Sequence, residues 1–576
     1  MNKVLKGLVS VAATAAMAVA GFAGASTAMA DPGTAPSYTI TVNETNDNHN
    51  FNAYQVFKGD LKETKNEQGV VTSSTLSNIE WGSGVSEAGK TALYTWAGLS
   101  GTDQTAAKVA EKLATNNGTT TAESFSKTLG ATANLTTSKT ALTQNTGKTA
   151  YSGTVNEAGY YLVVDSKGSA GLADKDAYSA YIMQVVGNVT VDPKSSVPTV
   201  KKEVQDQKDD KDVESTDANG WGNTADHAIG ESFNFRLTAT IPANANLKAY
   251  DSYKVVFNDT MSKGIAFEKI NSVKVKYGET TLTLADSAYT KTDPTAVTGT
   301  DGSKSWSLTI ADLKNVVDKD NSETKFDAAA LGTQAITVEV EYAAHLNADA
   351  EVTHESGAST ANKNGVSLDY SNNPNNNPNV GGEGDTGHTP GNDVYVYSFK
   401  IDNTKYANAA EEGKELSGAG FTLYKYDESA AGHKGDAVKF VWDSTKNAYR
   451  PAVSNTENTT AKTEITSRSE EGQQGKFNII GLDAGKYVLS ETKTPAGYNT
   501  VADTTIEITA SHKLNDGTPT VNLDTSQNLT NKLVDMPGSN LPSTGGMGTV
   551  MLYVAGIAVF VLAGATLVMA LRRRNA

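Results

Sequence analysis

Two lysines in this chain stand where a β-strand would turn them inward. In Val200-Lys201-Lys202-Glu203-Val204, strand alternation places Lys202 on the face of Val200 and Val204 and turns Lys201 away. An ammonium aimed into an apolar core is costly unless it is neutralised or bonded. The same alternation supplies partners. Tyr253, Val255, Phe257 and Asp259 form one phase, and Asn364, Val366, Leu368 and Tyr370 form another. Further on, Tyr397, Phe399, Ile401, Asn403 and Lys405 share a phase, so Lys405 is inward and Lys400 outward. Tyr487, Leu489 and Glu491 alternate inward together. Removal from water lowers the pKa of a lysine and raises that of a carboxylic acid. Each pair would then be a free amine, which is a nucleophile, facing a protonated acid.

Holding such pairs requires sheets packed face to face, and the chain is patterned for them. Alternating segments such as Thr39-Ile40-Thr41-Val42 and Thr337-Val338-Glu339-Val340-Glu341-Tyr342 recur between Gly, Asn, Asp and Ser clusters. That pattern predicts an all-β chain of tandem Ig-like β-sandwiches. Helical periodicity is clearest over Asp103 to Thr115, where Ala107, Val109, Ala110 and Leu113 share a face. The Thr-rich run from Thr115 to Thr149 reads as a surface loop, since a glycosylated stalk would carry proline. With 576 residues the chain is too long for a single core. Breaks at Ser195-Ser196-Val197-Pro198 and in the Asn/Gly/Pro run from Ser371 to Asp393 divide it. The expected organisation is a first domain 31–196, a second 197–372, a linker 373–393, a third domain 394–534 and a C-terminal segment 535–576.

Both ends read as address labels. Lys3 and Lys6, an Ala/Val/Gly-rich run and Ala28-Met29-Ala30 form a secretory signal over 1–30, cut between Ala30 and Asp31. Met547 to Leu571 is long and apolar enough to span a bilayer as a transmembrane helix. Arg572, Arg573 and Arg574 follow it, which places the preceding chain outside the cell.

Just before that span stands Leu541-Pro542-Ser543-Thr544-Gly545. The motif, span and basic tail together resemble the LPxTG cell-wall sorting signal read by sortases of Gram-positive bacteria. That resemblance implies cleavage between Thr544 and Gly545 and an acyl-enzyme at Thr544. Val189-Thr190-Val191-Asp192-Pro193-Lys194 resembles the pilin motif of sortase-assembled pili, with Asp192 where Tyr is usual and Val185 where Trp is usual. By that resemblance Lys194 supplies the amine that takes the Thr544 acyl group of another copy.

The inward lysines gain meaning from the same families. Leu416-Ser417-Gly418-Ala419-Gly420-Phe421-Thr422-Leu423 resembles a strand of Cna-B-type domains, and Tyr487 to Tyr498 resembles the pilin E-box, whose Glu is an isopeptide acid. In such domains a lysine amine displaces ammonia from an asparagine side chain with help from a buried acid. Carried over, the resemblance implies a Lys202 to Asn364 cross-link assisted by Asp259, with Asn362 and Asn372 sharing the acceptor phase. It likewise implies a Lys405 to Asn531 cross-link assisted by Glu491. The first domain offers no such phased set.

Taken over the chain, the resemblance is to the major subunit of a sortase-assembled fimbria, secreted and wall-anchored on a Gram-positive surface. Its implied partners are a pilus-specific sortase, a housekeeping sortase, copies of itself, tip or basal pilins, peptidoglycan and a surface receptor. A monomeric wall-anchored adhesin or a minor pilin would carry the same marks and leave Lys194 idle. Other classes find little support. The net charge of −16 repels nucleic acid. Seven scattered histidines lack zinc-site spacing, and no phosphate loop or nucleophile elbow occurs, so no metal, cofactor or enzymatic activity on an external substrate is expected. The Asp-rich run from Asp206 to Asp212 is interspersed with lysine and reads as a solvated loop. The absence of cysteine leaves an exported protein without disulfides, a role the amide cross-links would fill.

Overall fold

The architecture comes from a computed structural model of the full chain. It describes residues 37–538 and 547–574, apart from 45–48, 68–70, 116–118, 131, 166–179, 192–196, 207–218, 244–246, 248–249, 329–330, 332–333, 373–385, 516 and 525–528. The described chain is mostly β-strand, as expected. It groups into two compact units. One holds residues up to Glu351 with Gly357–Tyr397 and Ser511–Asn522, and the other holds Val352–Ser356, Ser398–Ala510 and the chain from Leu523 onward.

The first unit begins with two sheets. In one, Tyr38–Val42 lies between Tyr151–Val155, antiparallel, and Val189–Val191, parallel. In the other, Phe51–Lys65 pairs with Val71–Trp81 and Gly159–Asp165. Ile40 and Val42 from one sheet share a core with Phe51, Ala53 and Val163 from the other. The reverse face of the second sheet is also covered. Tyr54, Val56, Phe57 and Leu162 pack there against Leu93, Val109, Leu113, Phe125 and Leu129.

Those last residues belong to three helices, Glu87–Ala97, Ala106–Thr115 and Thr119–Gly130. Ser86 caps the first by accepting the Gly89 N–H at 3.0 Å, and Gly98 ends it at φ 68°. The third corrects the expectation of a surface loop over Thr115 to Thr149. Phe125 and Leu129, four residues apart, give it a buried face that its threonines obscure in the sequence.

The same unit contains a second pair of sheets. One runs Trp221–Gly222, Thr199–Gln205, Ser232–Ile241, Ile336–Leu346, Ile265–Tyr277, Thr280–Thr283. The other runs Thr224–Asp226, Asn392–Tyr397, Asn362–Ser371, Val255–Met261, Lys304–Ile310, Thr290–Lys291. This shifts the expected linker. Thr386–His388 and Asn392–Tyr397 both pair with Asn362–Ser371, so the chain re-enters this sheet before the third domain starts. Val394 and Val396 drive the return, since both are fully buried.

The second unit is a smaller pair of five-stranded sheets. In one, Phe399–Ala407 lies between Ile479–Leu482 and, running parallel to it, the edge strand Thr530–Asp535. Gly420–Tyr426 and Gly485–Lys493 pair in the other. Met547–Arg574 forms one helix, whose stretch Met551–Arg573 is long and apolar enough to cross a membrane.

Candidate functional site

Lys202 and Lys405 are the fully buried lysines among the described residues. Each reaches that position through ordinary strand alternation. Lys202 pairs with Leu237 in one sheet of the first unit. The facing sheet contributes Asp259, opposite Val366 and Trp306, and Asn364, opposite Met261. All three side chains are wholly inaccessible to solvent.

The Lys202 ammonium contacts Asp259 Oδ2 directly. It also donates to Asn364 Oδ1 at 2.5 Å and to the Tyr342 hydroxyl at 3.0 Å. Tyr342 closes the ring of contacts: its hydroxyl donates to Asp259 Oδ2 at 3.0 Å and accepts from Asn364 Nδ2 at 2.7 Å. The rings of Phe235 and Tyr342 lie 5.1 and 5.4 Å from the amine. Burial lowers the Lys202 pKa to about 8, against the pull of Asp259. Burial likewise raises the Asp259 carboxyl, against the pull of Lys202. Among the described residues Asp259 Oδ1 makes no well-formed hydrogen bond, the Trp306 indole giving its carboxyl only weak support, a costly state for an ionised oxygen and a mild one for a protonated acid. The arrangement sets an amine whose burial favours its neutral form against a carboxamide whose oxygen is hydrogen-bonded, beside an acid whose burial favours its protonated form.

The alternative acceptors have other surroundings. Asn362 accepts from Glu351 N–H at 2.9 Å and donates to the Glu351 and Val396 carbonyls, so it clamps backbone. Asn372 is buried eight positions beyond Asn364, about 26 Å away along an extended strand. Tyr342 was missed in the sequence, although Val338, Val340 and Tyr342 share its inward phase.

In the second unit Lys405 and Glu491 come together at 3.2 Å across facing sheets, both side chains wholly buried. Phe421 places its ring 5.4 Å from the amine and stacks on Phe477 at 4.2 Å. Asn531 departs from the expected arrangement. It pairs with Asn403 in the parallel register, and its Nδ2 donates to Asn403 Oδ1 at 2.9 Å. The residue touching the Lys405 amine from that strand is Asp535, which sequence reasoning had assigned beyond the domain. Burial raises the Asp535 carboxyl; Lys405 opposes this and Glu491 reinforces it. The available signal was phase, because Asn531, Leu533 and Asp535 all alternate inward.

A third buried cluster had no sequence forecast. His512 Nε2 lies 3.0 Å from Asp226 Oδ2 and 3.3 Å from Asp206 Oδ2, while Nδ1 meets the Thr224 hydroxyl at 2.9 Å. Burial alone would lower the imidazole pKa, but the bonds to Asp206 and Asp226 outweigh it and hold the value at about 10. The three ligand atoms lie within 4.8 Å of one another, a spacing a metal ion could bridge. Here the imidazolium itself stands as the cation between two carboxylates. Asp206 thus starts the Asp-rich run in a buried position, not in solvent.

Lys194, Thr544, Gly545, Ala30 and Asp31 lie outside the described residues.

Residues 402–526 match the SpaA family, described as a prealbumin-like fold domain. That stretch includes Lys405 and Glu491 and ends before Asn531 and Asp535. No curated protein matches the chain. Among solved structures, the T6 backbone pilin of Streptococcus pyogenes is 15% identical, with 89% of this chain and 100% of that chain covered at a TM-score of 0.47. The major pilin SpaD of Corynebacterium diphtheriae is 17% identical, with 88% and 99% covered at 0.42. The major pilin SpaA of the same organism is 15% identical, with 87% and 100% covered at 0.39.

Proposed function

We propose that the chain is a structural subunit of a covalently polymerised surface pilus, the fimbrial shaft. After removal of 1–30, a sortase cuts between Thr544 and Gly545, and Lys194 of a second copy takes the Thr544 acyl group. Repetition builds a fibre whose last subunit a housekeeping sortase joins to peptidoglycan. Tip or basal pilins and a surface receptor complete its partners. The chain is a substrate for this chemistry and not an enzyme acting on others.

The observation that carries the reading is the Lys202 site. A lysine sealed in a sandwich against an acid and a carboxamide is expensive to maintain as ions and has an evident use as the precursor of an amide. That bond joins Lys202 Nζ to the Asn364 side-chain carbon and releases ammonia, with Asp259 assisting as a neutral acid. Such bracing suits a fibre under tension. An apolar helix directly after the LPSTG segment fits retention at the membrane while the sortase acts.

The polymer is tested by boiling wall extracts in detergent and separating them by size. A high-mass ladder that collapses to one band in Lys194→Ala is expected. A single monomer band from the unmodified protein would exclude the shaft role and leave the adhesin or minor-pilin reading.

A further inference from the structure

We propose that Asp535, not Asn531, is the acceptor for Lys405, so that this cross-link forms with loss of water where the Lys202 bond loses ammonia. The inference rests on the pilus-subunit reading, in which buried lysines mature into amides, and changes the chemistry of one of them.

Register decides between the two acceptors. In the parallel pair of Phe399–Ala407 with Thr530–Asp535, Asn403 aligns with Asn531, Lys405 with Leu533 and Ala407 with Asp535. Asn531 is therefore one inward step behind the amine and is engaged with Asn403, whose own Nδ2 donates to the Phe477 carbonyl at 3.3 Å. Asp535 is one inward step ahead, and its Oδ1 is in contact with Lys405 Nζ. Glu491 reaches the same nitrogen at 3.2 Å from the opposite sheet.

Two acids around one amine also resolve a chemical difficulty. A carboxylate is a poor electrophile, so an aspartate can accept an amine only as the protonated acid. The Asp535 carboxyl is held above its ordinary range, chiefly by burial, and the adjacent Glu491 adds to this. Among the described residues Asp535 Oδ2 makes no hydrogen bond, and Glu491 Oε1 has only the Lys405 amine at 3.2 Å. A proton retained on Asp535 removes that cost.

The step then balances. Glu491 takes one proton from the Lys405 ammonium, and the free amine attacks the Asp535 side-chain carbon. The C–OH bond breaks, the nitrogen gives up a second proton through Glu491 to that hydroxyl, and water departs. An ammonium, an acid and a carboxylate become an amide, a water and a protonated Glu491. The net charge of the pocket is zero before and after, as a dry core requires.

Trypsin supplies the test, because Lys532 lies between the two acceptors. In a digest of the full chain, the Lys405 segment Ile401–Lys414 would be joined to the peptide beginning at Leu533 if Asp535 is the acceptor. It would be joined to Leu514–Lys532 if Asn531 is. The expected product contains the Leu533 peptide at a mass lower than the sum of the parts by one water. Asp535→Ala should release it, and Asn531→Ala should leave it intact. A Lys405 link to Leu514–Lys532 with loss of ammonia would overturn this proposal and leave the pilus reading standing. Separate Ile401–Lys405 and Tyr406–Lys414, cut apart at an unmodified Lys405, beside an intact Lys202 to Asn364 link also overturn it. Absence of both links removes the wider reading with it.

Discussion

Replacing Asp259 by Asn tests whether a buried acid forms the Lys202 bond and whether that bond is what braces the sandwich. The change keeps the side chain's shape beside Tyr342 and removes the proton donor. Lys202 and Asn364 should then remain separate. The bond, when present, closes a loop between residues 162 positions apart. In the chain-entropy account of cross-links, a loop of that length restricts the unfolded state by about 5 kcal/mol at room temperature. For a unit of this size each kcal/mol moves the melting midpoint by about 2–4 °C, so the variant should melt about 10–20 °C lower. The unreacted amine, still buried, adds to the loss.

The assay pairs two measurements on the same samples. Peptide mass maps report whether the Lys202 and Asn364 peptides are joined, and scanning calorimetry reports the transition. A variant that still carries the link refutes the role of Asp259. A variant that lacks the link yet melts within about 3 °C of the parent refutes the entropic reasoning, since loop closure would then be worth about 1 kcal/mol.

Two further outcomes bear on the fold. The His512 imidazolium titrates near 10 in the folded chain against an ordinary 6.5, so its contribution is complete below about pH 6.5 and is lost as pH rises toward 10. Integrated over that window the loss is about 5 kcal/mol, and His512→Asn should flatten it; parallel slopes of urea midpoint against pH in both proteins would dismiss the cluster as a stabiliser. Phe125 is fully buried, with its ring 5.2 Å from Trp96 and 6.0 Å from Phe57. Phe125→Ala should cost about 3–5 kcal/mol in denaturant unfolding, whereas a surface loop would absorb it with little change.

The inward lysines were legible because strand alternation is local: reading every second residue from Val200 or from Tyr397 leads to Lys202 and Lys405 without knowledge of partners. Asp259, Asn364 and Glu491 followed for the same reason. What alternation cannot do is rank residues of one phase. Asn531, Leu533 and Asp535 all point inward, and only pairing with a strand about 130 positions earlier places Asp535 on the amine. The helix Thr119–Gly130 was hidden by threonine composition, yet its presence was implied elsewhere. Gly159–Asp165 is apolar without alternation for most of its length, the mark of a strand covered on both faces. His512, Asp206 and Asp226 meet from three distant segments and leave no local trace.

The positions of the two proposed amides have a mechanical consequence. Tension in the fibre would enter each subunit at Lys194 and leave at Thr544, so residues before Lys194 lie off the load path. Eight residues on, force reaches Lys202 and would pass through the amide directly to Asn364, bypassing residues 203–363. It would then follow the chain to Lys405 and cross to Asp535, bypassing 406–534. In the second unit the bridged strands are parallel neighbours, the first and last of that unit's sheet. Pulling them from opposite ends shears their hydrogen bonds together, and a covalent tie at Lys405 takes that load before the ladder does. An acceptor at Asp535 instead of Asn531 moves the tie four residues closer to Thr544. The stretch left to extend between the last brace and the next subunit is correspondingly shorter.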